Sequence, residues 1–480
     1  MQHARKPDQI LLAIIGGLVA FGLVMVYSSS FVVAYSDYGS STYWVARQAM
    51  FAFLGGIVML AVMRFDYRKL RAYSVPMMLG TLALLLLVLL LPDSITHVNG
   101  ASRWIKLGSF SLQPSELAKV ASIVYFADWL SRRGSKVKML VTGLLPFSIM
   151  LGLLAGLVLI QPDMGTTITI ILIGATILFT SGASLLHLGL ATFVAGGVGL
   201  MAVQSAGYRL QRVLVWQDPW QFAREGGYQP IHSLYALGTG GITGVGLGHS
   251  RQKFHWLPFA HTDAIFAVIG EELGLISTVL LIVVFLILGV RGLRIAARTS
   301  DPFGSLLAIG VTSWLVFQAL LNMAVVSTLV PFTGITLPFI SYGGTSLVTT
   351  MMAAGLLLSV SRYAPLKSAE DPVNDAPIPS IKSLQPHVAA AADVVRRWHG
   401  RARLPRAGGG GEPADGNLPP SLAVGSSFSG SWRRTTERRK RAGRFAFLSR
   451  GGGQRDTARQ RVQNRRAGLE PDHTKPGRRR

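Results

Sequence analysis

Long apolar runs set the pattern of the first three quarters of the chain, and residues 10–27 and 75–91 carry no charge. A run of about 18 or more apolar residues crosses the hydrocarbon core of a bilayer, about 30 Å thick, as a helix. Lipid offers exposed backbone no partner, so spanning segments are expected to be helical. Barrel strands would alternate apolar and polar positions, and these runs do not. The pattern predicts an all-α polytopic membrane protein with about ten transmembrane helices. The expected spans are 10–28, 44–63, 74–91, 114–130, 143–160, 164–181, 185–203, 264–289, 303–326 and 342–361. The fourth holds Glu116, Lys119 and Asp128, so an amphipathic helix lying in the interface is the alternative there. Arg5 and Lys6 precede the first run as in a signal peptide. No small-residue cleavage site ends that run and more spans follow, so it is taken as a retained first helix.

Basic residues in short loops set the orientation. Loop 64–73 carries Arg64, Arg68, Lys69 and Arg71. Loop 131–142 carries Arg132, Arg133, Lys136 and Lys138, and loop 290–302 carries Arg291, Arg294 and Arg298. With ten spans these loops share one side with both termini, which is read as the cytoplasm. Loops 28–43 and 92–113 and the long segment between helices 7 and 8 then lie outside.

Composition adds two limits and one further region. Half of the residues are hydrophobic and mean hydropathy is +0.40, too apolar for a soluble fold of this size. There is no cysteine, which excludes disulfides, thiolate catalysis and Cys-ligated metals. Two regions are expected: a transmembrane domain over 1–361, including a long external loop over 204–262, and a basic disordered tail over 362–480. The tail holds 25 of the 47 Lys and Arg and 10 of the 23 Asp and Glu, a net +15 of the total +24. Such a segment buries too little apolar surface to fold alone. Anionic membrane lipid is its expected partner. Nucleic acid is not expected, because no aromatic platform or recognisable module accompanies the charge.

The external segment is where chemistry is expected. It is too long for a simple connection, and it carries Trp216, Trp220, Tyr228, Phe254, Trp256 and Phe259. Arg209, Arg212, Arg224, Arg251 and Lys253 place positive charge outside, against the usual bias, as an anionic phosphate ligand would require. Gly238–Gly248 reads GTGGITGVGLG but lacks the Gly-Lys-Ser/Thr of a P-loop, so its glycines are read as turns or sites of close backbone approach. The segment ends at His261-Thr262-Asp263, directly before a long apolar helix. Asp263 either caps that helix or serves as a general base at the membrane surface. Glu271, with Glu272 beside it, lies inside the same helix, where a charge is costly and a candidate for function.

Other polar groups recur at the same outer surface. Arg103 with Trp104 is an interfacial anchor or a phosphate contact. Glu116 and Lys119 are three apart and pair or bind, and Asp163 caps a helix or binds. Ser341, Gly343 and Gly344 open the last span. Several carboxylates and cations in a lipid setting point to chemistry on a lipid-linked anionic substrate.

Four separated stretches carry a resemblance. They are 99–108 with 113–119, then 161–166, then 260–274 (AHTDAIFAVIGEELG), and finally Asn322 with 334–346 (GITLPFISYGGTS). On these the chain resembles the SEDS family of shape, elongation, division and sporulation proteins. Within it the chain is more similar to FtsW than to RodA, through Tyr27-Ser28-Ser29-Ser30 and Gly246–Lys253 (GLGHSRQK). It departs where Phe259 replaces an acidic residue, Ala264 a Phe and His232 a Gln.

The resemblance implies a peptidoglycan glycosyltransferase that polymerises lipid II, a disaccharide-pentapeptide on undecaprenyl pyrophosphate, during septal wall synthesis. It implies Asp263 as the catalytic residue and a class B penicillin-binding protein and other divisome proteins as partners. The setting is the bacterial cytoplasmic membrane at the septum. Substrate contacts are expected among Arg103, Glu116, Lys119, Asp163, Arg209, Arg212, Arg251, Lys253, Glu271, Ser341, Gly343 and Gly344. No metal ligands are visible, although a divalent cation, Mg or Mn, would suit a pyrophosphate leaving group. A lipid II flippase and a non-catalytic divisome scaffold are the alternatives.

Overall fold

The computed structural model describes residues 5–92, 96–98, 101–108, 110–204 and 207–363. The basic tail past Tyr363, and Asn99 and Gly100 of the first motif, lie outside the described residues.

Each expected span is a helix. In chain order they are α1 (Gln9–Tyr38), α2 (Tyr43–Arg64), α3 (Leu70–Leu90), α4 (Pro114–Ser131), α5 (Leu145–Ile160), α6 (Met164–Thr180) and α7 (Leu185–Gln204). The long segment adds α8 (Gly207–Gln217) and α9 (Tyr228–Gly240), followed by α10 (Ile265–Arg298), α11 (Pro302–Val326) and α12 (Gly344–Tyr363). Among the described residues, seven helices are long and apolar enough to cross a membrane, and 164–180 and 185–201 are shorter apolar helices. Large apolar side chains such as Phe53, Leu186 and Phe193 stay exposed, which is stable only against lipid. Between α3 and α4 the chain forms two short antiparallel hairpins, β1–β2 (His97–Val98 with Ala101–Ser102) and β3–β4 (Ile105–Leu107 with Phe110–Leu112).

Two expectations need correction, and the alternative given for the fourth span falls. Helix α1 continues to Tyr38, so most of the loop expected at 28–43 is helix, closed by Gly39 at φ 70°. Helix α4 does not lie in an interface. It is buried on nearly every side, and Glu116, Lys119 and Asp128 are all inside the bundle. The external segment is not an open loop, because α8 and α9 occupy much of it.

Helix α10 is broken. Gly274 has φ 74° and ψ −174°, which interrupts the helix after Leu273. The glycine-rich segment inserts its backbone there. Val245 and Gly246 donate to the carbonyls of Glu271 and Glu272 at 3.0 and 2.9 Å, and Leu275 donates to the Gly241 carbonyl at 2.9 Å. Backbone groups freed by a break at membrane depth must find protein partners. Glycine lets the two chains approach closely enough to supply them, which accounts for GTGGITGVGLG without any phosphate.

The short basic loops share one face. There Asp8 pairs with Arg291 at 2.7 Å and Asp301 with Arg71 at 3.2 Å, and Arg68 donates to the Tyr363 carbonyl at 3.1 Å. The 259–264 turn lies at the other end of α10, the first residue of which is Ile265.

Candidate active site

Asp263 lies in the turn before α10, and its backbone is fixed from three directions. Within the turn, the Phe259 carbonyl accepts the N–H groups of Thr262 at 3.0 Å and Ala264 at 3.3 Å. From α11, Asn322 donates through Nδ2 to the Asp263 carbonyl at 2.9 Å and to the Ile335 carbonyl at 2.6 Å. From the loop before α12, the Ser341 hydroxyl donates to the Thr262 carbonyl at 2.7 Å, and the Tyr342 N–H donates to the His261 carbonyl at 2.9 Å. Phe259 sits at φ 54°, a left-handed conformation that costs a non-glycine residue roughly 1–2 kcal/mol. The surrounding hydrogen bonds offset that strain.

The side chain is left open. Helix α10 has Ala264 at its N-cap and no side-chain cap, so Asp263 does not cap it. Among the described residues, none donates a hydrogen bond to the Asp263 carboxylate. Gly334, at φ 68°, lies so close that a Cβ there would sit 3.2 Å from Asp263 Oδ2. A larger residue at 334 would crowd the carboxylate.

Charge around the carboxylate is mixed. Burial pushes the Asp263 pKa up to about 6, Arg103 and then Arg212 pull it back, and Asp163 adds a smaller push upward. Burial also lowers the Arg212 pKa. A base that retains some affinity for protons, facing two cations able to receive negative charge, suits proton abstraction coupled to departure of an anion. Arg212 also lines a cavity of about 300 Å³ with Tyr208, Trp216, Gln229 and Phe332, and donates to the Phe332 carbonyl at 3.0 Å. His261 is not a competing base. Burial pushes its pKa down to about 4, and its ring stacks on Trp44 with centroids 5.1 Å apart.

Among the described residues, no cluster of three or more His, Asp or Glu could hold a metal ion. Asp163, the nearby carboxylate, is already committed. It accepts from Gln113 at 2.9 Å and Ser115 at 3.2 Å, and caps α6 through the Thr166 N–H at 3.1 Å.

The family model described as Cell cycle protein, which groups FtsW, RodA and SpoVE, matches residues 8–365. The chain belongs to this family. It is 42% identical over 362 residues to a probable peptidoglycan glycosyltransferase FtsW of Geobacter metallireducens, covering 75% of this chain and 96% of that protein. It is also 42% identical to stage V sporulation protein E of Bacillus subtilis over 365 residues, 75% of this chain and 98% of that one. A solved peptidoglycan synthase complex that coordinates polymerization and crosslinking contains a chain with a TM-score of 0.63 and 28% identity, covering 74% of this chain and 98% of that one. The rod shape determining protein RodA of Thermus thermophilus gives 0.55 and 26%, over 75% and 98% of the two chains. The fold is thus that of FtsW and RodA, and the chain is a multi-pass membrane protein.

Within this family frame, the candidate residues divide. Arg103, Arg212 and Asp163 act electrostatically on Asp263, and Ser341 holds the neighbouring Thr262 carbonyl. Gly344 gives the Phe51 ring room at the start of α12, and the Gly343 N–H reaches Gln48 at 3.4 Å. Arg209 is turned to the Leu159 carbonyl at 2.9 Å and the Tyr208 hydroxyl at 2.8 Å, and Arg251 is exposed.

Glu116 and Lys119 pair at 2.9 Å inside the bundle. Lys119 also donates to Gln318 at 2.8 Å, and Gln318 donates to the Thr336 carbonyl at 3.0 Å. That chain braces the loop that ends in Ser341. Lys253 and Glu271 are unavailable to a ligand. Lys253 is sealed against Glu272 at 2.6 Å and over the Phe31 ring, while Glu271 holds the Ser250 hydroxyl and the Arg251 N–H. The resemblance pointed to Asn322 without a role, and Gly334 only as part of a motif. Two amides one turn apart in an apolar helix, Gln318 and Asn322, were the available signal.

Proposed function

We propose that the chain is a peptidoglycan glycosyltransferase that polymerises lipid II at the outer face of the cytoplasmic membrane, with Asp263 as general base and the division septum as its setting. Glycosyl transfer in wall synthesis draws support from relatives 42% identical across three quarters of the chain. The observation that carries the site assignment is a carboxylate whose backbone is anchored by Asn322 and Ser341 while its oxygens have no donor among the described residues.

In the proposed step, Asp263 accepts the proton of a sugar hydroxyl, and that oxygen forms a bond to the anomeric carbon of the neighbouring unit. The bond from that carbon to the pyrophosphate oxygen breaks, and the undecaprenyl pyrophosphate leaves with the electron pair. Arg103 and Arg212 offset the charge that develops on the leaving group. A crosslinking transpeptidase partner belongs to the proposal, by analogy with the similar synthase complex.

The test compares Asp263→Asn with wild type for synthesis of glycan strands from purified lipid II. Loss of a general base lowers the rate by about 10²-fold or more. Asn also removes a buried charge, so the variant should be more stable at neutral pH by roughly 3 kcal/mol, the free-energy equivalent of the raised pKa. Strand synthesis at the wild-type rate would reject Asp263 as the base.

A further inference from the structure

The face with the basic loops holds a second cavity, of about 600 Å³, between the first turns of α3 and the end of α4. Arg71, Arg132, Arg133 and Lys136 line it, against one carboxylate, Asp128. Two of the cations are already balanced. Arg132 holds Asp128 through two bonds of 2.8 and 2.9 Å, and Arg71 reaches Asp301 at 3.2 Å. Asp128 also accepts from Ser74 at 2.6 Å, so it has little capacity left for the other two. Arg133 lies over the Trp129 ring, 3.8 Å from its centroid, and donates to the Thr142 carbonyl. Lys136 is exposed, and its ammonium has no partner among the described residues. Two uncompensated cations, one held in place by an indole, therefore face a cavity large enough for a headgroup.

The rim indicates which anion fits. Ala72 and Val75 of α3 line the cavity. Val75, Leu79 and Leu86 continue from it along α3, and all three are exposed, at 52%, 60% and 48%. Spacings of four and seven residues put them on one face of the helix. A free phosphate has no use for an apolar stripe leading away from its site, whereas an acyl chain does.

We propose that this cavity binds an anionic glycerophospholipid, its phosphate between Arg133 and Lys136 and its chains along the exposed face of α3. The planar guanidinium on Trp129 presents paired N–H donors to phosphate oxygens, and Lys136 adds a mobile charge. The site lies at the opposite end of the bundle from Asp263.

Native mass spectrometry of the full chain in neutral detergent tests it, with phosphatidylglycerol and phosphatidylcholine as probes. Wild type should retain phosphatidylglycerol over phosphatidylcholine. Lys136→Gln should weaken retention about fivefold and the Arg133→Gln/Lys136→Gln pair about 25-fold. Millimolar inorganic phosphate should not displace the lipid. Equal retention by the double variant, or equal binding of both lipids by wild type, would overturn the proposal. Displacement by inorganic phosphate would reassign the cavity to a free anion. Lys136 sits exposed on a short helical turn, so its single variant keeps the test decisive if the Arg133 change disturbs packing.

Discussion

Helix α10 carries two acidic regions that differ in one respect. At its start, Asp263 has a fixed backbone and a carboxylate that no donor reaches among the described residues. Within its first turns, Glu271 and Glu272 are both buried and both saturated. Glu272 accepts from Ser28 at 2.5 Å and Lys253 at 2.6 Å, and Glu271 accepts from Ser250 and from the Arg251 N–H at 2.9 Å. The glutamates sit where a charge costs most, yet they hold the broken helix to the glycine-rich segment. The aspartate sits at the edge and is left available. Depth in the membrane domain thus identifies a carboxylate that must be paid for, and the absence of donors identifies one that can react.

Breaking the saturated region should have the largest effect. Glu272→Ala leaves Lys253 buried without a counter-charge, and such a loss costs about 3–5 kcal/mol. Thermal unfolding in detergent should show it, and the Lys253→Met/Glu272→Leu pair should recover most of the loss. A single variant as stable as wild type would mean that water reaches Lys253. At the open region, Arg212→Gln should lower kcat/KM for lipid II about tenfold, the size of a lost charge-assisted hydrogen bond, without a matching fall in melting temperature. Unchanged kinetics would remove Arg212 from the site. The smallest effect should come from truncation after Tyr363, which should leave the rate of strand synthesis unaltered. A slower truncated enzyme would tie the basic tail to the chemistry.

Much of the helical plan was legible because apolar runs of membrane length have few other solutions. Charge inside α4 obscured its burial, since pairing of Lys119 with Glu116 and Gln318 depends on a helix about 200 residues away in sequence. The break at Gly274 was hidden in an apolar run, because the groups that repair it come from residues 241–246. The candidate base was legible from its place at the boundary of the aromatic segment and the apolar helix, together with the family motif. Its electrostatic setting was less so. Five external cations looked alike in sequence, yet Arg212 acts on Asp263 while Lys253 is sealed against Glu272, a difference fixed by tertiary contacts.

The pH dependence of strand synthesis by wild type tests the central claim most directly. Burial raises the Asp263 pKa to about 6, and only the ionised form accepts a proton, so the rate should rise with pH through about 6 and level off near neutrality. The stability contribution runs the other way. The folded protein binds this proton more tightly than the unfolded chain, so that contribution is present at low pH and lost as pH rises from about 4 to about 6. Activity should therefore be lowest where this group stabilises the fold most. A rate unchanged between about pH 5 and 8, with lipid II saturating throughout, would contradict the assignment of Asp263 as the base.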